Sequence, residues 1–227
     1  DDRSAVLSPT DQWGMLGSQT SLYMQDVAKD AYRRGKLGMI GNIDTYSSQN
    51  VQTHTGGTRD NTTPLVKGAS QTTDWATSKD TGTMTLNTDG WDASVTIKQG
   101  DVFTIDGVYA VNPVTKVTLP HLQQFVVKAD ATANATTTST TTLTISPPII
   151  TSGAFQTVSA APADDAIVTV VGSASTGYAQ NMVFHKNAFS LVMVPMVAPP
   201  GAVDVARKSY NGYSVRVIPY YDGTNDA

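Results

Sequence analysis

Three histidines, the adjacent carboxylates Asp164-Asp165 and a spaced run of glycines are the residues whose types could do chemistry in this chain. His54, His121 and His185 would serve a metal ion or a proton relay only beside further ligands. None has a second histidine or a carboxylate at metal-ligand spacing, so they read as ordinary surface or half-buried histidines. Asp164-Asp165 would share a proton only if the two carboxyls faced each other. Neighbours in a strand or loop point apart, and capping of a turn after Pro162 is the expected role. Gly35, Gly38 and Gly41 superficially resemble a phosphate loop, yet Gly35 follows a helical stretch where a helix-dipole phosphate site must precede one. Gly172-Ser173-Ala174-Ser175-Thr176-Gly177 has the wrong spacing for a Gly-x-Ser-x-Gly nucleophile elbow. Arg33-Arg34, Arg59, Lys67 and Lys79 form no compact basic patch. Asn61-Thr62-Thr63 and Asn134-Ala135-Thr136 match glycosylation acceptors, a pattern frequent by chance in a Thr-rich chain. The expectation is no catalytic, cofactor-binding or metal residue, no cofactor and no enzyme activity.

The composition points the same way. At 227 residues and 40% hydrophobic content the chain can bury a sizeable core. Charged residues make up 15%, against roughly 25% in typical globular proteins. Such a surface suits extracellular β proteins and subunits covered by neighbours alike. A net charge of −4 argues against a general nucleic-acid binder. No apolar run approaches the ~20 residues that span a bilayer. Cysteine is absent, which excludes disulfides and thiolate metal sites. The chain opens without Met or a signal-peptide pattern and closes on a polar stretch from Tyr221 to Ala227. Those ends suggest a fragment or a processed product.

The elements that must carry these residues are mostly strands. The strongest local signal runs from Lys98 to Pro113, where β-branched and aromatic residues flank Asp106-Gly107, a dipeptide that predicts a tight hairpin turn. Further strands are expected at Ser4–Ser8, Leu65-Val66, Thr83–Leu86, Trp91–Ile97, Leu122–Lys128, Leu143–Ser146, Phe155–Ser159, Ile167–Val171 and Tyr213–Tyr220. Ser8-Pro9-Thr10-Asp11 starts a helix that Gly14 and Gly17 should shorten or break. Asp26–Arg34 reads as a better helix, capped by Gly35. The Ala/Thr stretch Ala131–Thr142 reads as a mobile surface loop, and Gln180–Ala188 as a short helix or turn. Phe189–Val197 is strongly apolar but too short for a membrane helix. The ends are thus mixed and the middle, from about Gly57 to Gly172, is nearly all β. This plan suggests one domain inserted into another, with two consecutive domains and a β tail as the alternative.

Several runs resemble the major coat proteins of tailed bacteriophages, in the branch whose subunit carries an inserted β-barrel. They are Gly41-Asn42-Ile43-Asp44-Thr45-Tyr46 with Gln52-Thr53-His54-Thr55, the Lys98–Pro113 run, and Gln123–Lys128 with Leu143–Pro147. Ala179-Gln180-Asn181-Met182-Val183-Phe184-His185-Lys186-Asn187-Ala188-Phe189 and Val215-Arg216-Val217 complete them. The resemblance implies an α+β chain: a partial Hong Kong-type capsid fold in 1–56 and 173–227, with an antiparallel β-barrel inserted at 57–172. It implies a virion structural protein that self-assembles into an icosahedral shell around phage DNA. The partners would be other copies of itself, with scaffolding and portal proteins during assembly, and no specific nucleic acid or membrane. Assembly would occur in the host bacterial cytoplasm. The competing reading is a secreted or tail-associated β-rich module that binds glycan or protein.

Overall fold

The computed structural model describes residues 2–19, 39–40, 42–59, 63–134, 136–199, 204–219 and 223–224. The chain divides into two compact units, Asp1–Ser48 with Met182–Ala227, and Gln49–Asn181. The expected helix at Asp26–Arg34 and the glycines at 35, 38 and 41 lie outside the described residues.

The discontinuous unit is built on a four-stranded sheet. Its strand β1 (Arg3–Leu7) runs antiparallel to β14 (Met182–His185) and parallel to β3 (Ile43–Ser47), which pairs in turn with β2 (Met39–Ile40). Alternation within β1 buries Ala5 and Leu7 on one face. Helix α1 (Pro9–Gln19) follows, and it runs unbroken through Gly14 and Gly17, against expectation. The reason lies at its first turn. Ser8 Oγ accepts from the Asp11 amide at 3.1 Å and donates to Asp11 Oδ2 at 2.8 Å, while Leu16 is buried further along. Capping and burial offset the ~1 kcal/mol that each glycine costs. The stretch 180–188 forms β14 and one 3-10 turn, Lys186–Ala188. A hairpin of β15 (Ala206–Tyr210) and β16 (Tyr213–Val217) turns at Asn211-Gly212, both with positive φ, as a tight two-residue turn needs.

The continuous unit is a β-barrel. Six strands pair antiparallel in the order β12 (Val168–Val170), β8 (Val102–Val111), β9 (Thr118–Val127), β11 (Thr141–Ser146), β6 (Met84–Asp89) and β5 (Leu65–Val66). The two outer strands then meet. Leu65 bridges Ile167, the Val66 amide donates to Ala166 O at 2.9 Å, and the Val168 amide donates to Pro64 O at 2.8 Å. Closure leaves almost no free sheet edge. The interior is lined by fully buried Phe103, Ile105, Phe125, Leu143, Ile145 and Val158, with Phe103 and Phe125 stacked across β8 and β9 at 5.7 Å.

Asp106-Gly107 is not the hairpin turn. Both residues sit inside β8, where the register against β9 shifts between Thr104 and Tyr109 and Gly107 takes φ +77°. A bulge and a tight turn both need a residue tolerant of positive φ, so the dipeptide alone does not separate them. Parity does. Phe103 and Ile105 point inward before the bulge, Val108 and Ala110 after it, so the inserted residues re-phase the strand by one. The turn lies at Asn112–Val117 instead, where Asn112 Oδ1 accepts from the amides of Val114 and Thr115 at 2.9 and 3.0 Å. The Ala/Thr stretch is also more ordered than expected. β10 (Ala131–Thr132) pairs with β7 (Thr96–Ile97), and Ala133 is small enough to enter the core. Of Trp91–Ile97 only Thr96-Ile97 is strand; the Trp91 indole is buried and donates to Thr88 Oγ1 at 2.8 Å. Phe155–Ser159 forms no strand, and Val158 alone bridges Ala110.

Truncating the centre of this core should be costly. Phe125→Ala is expected to destabilise the barrel by roughly 3–5 kcal/mol, whereas His121→Ala on the exposed face should change it by less than about 0.5 kcal/mol. Denaturant unfolding followed by Trp91 fluorescence measures both; equal effects would contradict the assigned interior.

Candidate functional site

The densest polar cluster of the barrel unit gathers where the unit's first and last strands meet. β4 (Thr53–Thr55) pairs antiparallel with β13 (Gly177–Ala179), His54 standing opposite Tyr178. The contact continues inward. The Gly56 amide donates to Thr176 O at 3.1 Å, the Ser175 amide to Gly57 O at 3.0 Å, and the Gln180 amide to Gln52 O at 2.9 Å. Thr58 and Thr96 exchange reciprocal bonds, each hydroxyl accepting from the other's amide at 2.9 and 3.1 Å.

Asp101, buried at the start of β8, is the centre of this neck. Its Oδ1 accepts from His54 Nε2 at 2.9 Å, and its Oδ2 accepts from the amides of Lys98 at 3.0 Å and Gly57 at 3.2 Å. Arg59 Nη1 stands 3.0 Å from Oδ2, but off the line a hydrogen bond requires, so charge holds that contact. The other arm of the guanidinium donates to Val171 O at 2.9 Å and to Gly172 O at 3.3 Å. One carboxylate therefore ties β4, the chain after it, the turn before β8 and, through Arg59, the end of β12. Burial pushes the Asp101 carboxyl up. The bonds from His54 and the Lys98 amide, the Arg59 charge and the Gly57 amide together outweigh that, and the group titrates below its ordinary value of 3.8.

The backbone comes too close here for any side chain at two positions. A Cβ on Gly57 would lie 2.0 Å from Thr96 O, and one on Gly172, at φ +82°, would lie 2.9 Å from the Tyr178 ring. Tyr178 oxygen accepts from the Ser173 amide at 2.8 Å, and that bond holds its phenol below the usual value. Cavities of 260 and 310 Å³ flank Arg59, one beside His54 and Tyr178, the other beside Trp91 and Ile167.

His54 and Asp101 together have the parts of an acid–base pair. Among the described residues no hydroxyl or thiol reaches the free ring nitrogen, so the pair has no nucleophile to activate. The other candidates lie apart. His121 is exposed on β9, and His185 Nδ1 accepts from the Asn187 amide at 3.2 Å to start the 3-10 turn. Asp164 Oδ1 accepts from the Gly68 amide at 2.7 Å, and Asp165 holds φ +59° in the same turn, so each serves a turn. Lys67 pairs with Asp89 at 3.7 Å, and Lys79 ends the short helix α2 (Trp75–Ser78). Arg33-Arg34 and Asn61-Thr62 lie outside the described residues. Among the described residues no three His, Asp, Glu or Cys side chains gather to hold a metal ion. Asp101 itself escaped the sequence reading, because its histidine partner is 47 residues away. The one local sign was Gly100-Asp101 ahead of a strand.

A cluster that binds chain to chain and activates no group is what a structural protein needs. A family model for the P22 coat protein, gene protein 5, matches residues 1–227. The chain belongs to the P22 coat protein family. It is a phage major capsid subunit, and its family builds the virion shell from its own copies. Among solved structures, the CUS-3 coat protein I-domain is similar at 27% identity, covering 49% of this chain and 96% of that one, with a TM-score of 0.31. No curated protein matches the coat subunit.

The neck makes the coat subunit acid-sensitive in a defined direction. The native carboxyl of Asp101 titrates below its unfolded value, so on acidification the unfolded chain takes up the proton first. The stabilisation is complete above about pH 4–5 and is lost as pH falls through the native value. Asp101→Asn should flatten this acid limb. It should also destabilise the barrel near neutrality by about 3–5 kcal/mol, since it leaves Arg59 buried without a counter-charge. Gly57→Ala should disrupt the neck even at pH 7. Urea midpoints measured from pH 2.5 to 7 test all three; an unaltered acid limb in the Asn variant would contradict the role of Asp101.

Proposed function

We propose that this coat subunit has a Hong Kong-type capsid body formed by the discontinuous unit, with the barrel as a domain inserted into it. The reading rests on one observation above all. The barrel unit begins and ends on paired strands, Thr53–Thr55 against Gly177–Ala179, so its two chain crossings lie side by side. Insertion into a host is tolerated where the guest's ends are adjacent. The compositional break at Gly57 and Gly172 falls inside the unit Gln49–Asn181, since β4 and β13 are polar strands whose pairing the sequence does not announce.

In this reading the subunit forms rings and an icosahedral shell around phage DNA, with scaffolding and portal proteins joining during assembly in the host cytoplasm. The physical logic is additive: many modest interfaces, each burying roughly 1,000 Å² or more, give cooperative stability without covalent chemistry. Mild acidity, with a net charge of −4, leaves packaged DNA without strong attachment to the wall.

Replacing residues 49–181 by a short linker in the full coat polypeptide tests this. The proposal expects a body that retains its sheet but assembles with lower yield or altered shell size, read by sedimentation and negative-stain imaging. Wild-type shells at wild-type yield would show that the insertion has no needed role. Loss of the body's sheet would show that the two units do not stand as guest and host.

A further inference from the structure

The discontinuous unit carries a segment with no charge on it. No Asp, Glu, Lys or Arg occurs between Lys186 and Asp204. From Phe189 to Pro199 the chain is neither helix nor strand and, among the described residues, pairs with no strand. Leu191, Val192 and Val194 are 73%, 77% and 75% exposed. With Met196 and Val197, the exposed apolar side chains amount to on the order of 600 Å². That lies at the upper end of the roughly 300–600 Å² of the largest patch on a typical monomer, and approaches the roughly 800 Å² one partner contributes to a standard interface.

The segment is held ready. Arg207 Nη1 donates to Met196 O at 3.2 Å, and Arg216 Nη1 donates to Val197 O. These arginines stand directly opposite each other on β15 and β16, so one hairpin face grips consecutive carbonyls of the run. At its other end Phe189 packs edge-to-face on Phe184 of β14 at 5.2 Å. Anchored at both ends, the run has little ordering entropy left to lose on binding. Natural edges that must stay unpaired carry charges, bulges or prolines among their apolar residues. Here Pro195 alone interrupts the run.

We infer that residues 189–197 form a contact segment covered by a second copy of the coat subunit in the shell. The inference rests on the coat reading, which supplies the partner class. Recognition is apolar, through the exposed side chains of Leu191, Val192, Val194 and Val197.

These 227 residues hold no cysteine, so a single introduced thiol can be followed once any cysteine elsewhere in the polypeptide is replaced by serine. Val192→Cys and Val194→Cys are made singly in the full coat polypeptide, and thiol alkylation is timed in the unassembled subunit and in shells. The expected result is rapid labelling of the free subunit and at least tenfold slower labelling in the shell. Slow labelling in the free subunit would overturn the inference by showing that the subunit's own chain covers the run. Equally fast labelling in shells would overturn it too. Val194→Lys adds a second readout: assembly should fail while the melting temperature of the free subunit stays within 2 °C, roughly the effect of a neutral surface change. A destabilised free subunit, or normal shells, would contradict the assignment. If the wild-type polypeptide forms no shells even when produced with its phage's scaffolding protein, the coat reading fails rather than the choice of surface.

Discussion

A buried carboxylate with four partners governs the architecture of the barrel unit. Asp101 is 3% exposed, and a lone charge there would be costly. His54, two backbone amides and Arg59 make it tolerable: His54, the Gly57 amide and Arg59 come from the incoming chain, and the Lys98 amide from the turn before β8. The desolvation cost is therefore met only when the incoming chain and the turn before β8 are both in place, and Arg59 extends the tie to the outgoing chain through Val171 O and Gly172 O. A buried ion pair of this kind contributes little net stability compared with an apolar substitute, but partial assembly around it is strongly disfavoured. Its role is to make closure of the neck an all-or-none event.

The apolar interior and the polar neck divide the work. Phe103, Phe125, Ile145 and their neighbours supply the gain from burial, which is non-directional and would accept many arrangements. The bulge at Asp106-Gly107 sets which residues of β8 face that interior. The Asp101 cluster then selects the register in which the two ends of the unit meet. Gly57 is part of the same selection, because the backbone of Thr96 occupies the place where any side chain would stand.

Much of the barrel was legible in the sequence, because alternation in Leu143–Ser146 or Leu122–Lys128 is a direct image of a sheet with one wet and one dry face. The family wording of the Lys98–Pro113 run and of Ala179–Phe189 pointed to phage coat proteins. What was not legible depended on contacts distant in sequence. Asp106-Gly107 was read as a turn because bulge and turn make the same local demand; only the change from odd to even inward positions distinguishes them. Helix α1 survives its glycines through a cap and one buried leucine. The neck was missed because Asp101 meets His54 and Arg59 only through the fold, the histidine standing 47 residues away in sequence.

The central claim is that the neck opens only when the barrel does. Native-state hydrogen exchange on the whole chain measures this most directly, using the amides of Gly56, Gly57 and Gln180, whose acceptors are Thr176 O, Asp101 Oδ2 and Gln52 O. The account predicts that these exchange with the same opening free energy and denaturant dependence as Phe125 and Ile145 in the core. Exchange of the neck amides through a separate, low-energy opening while the core stays protected would contradict it.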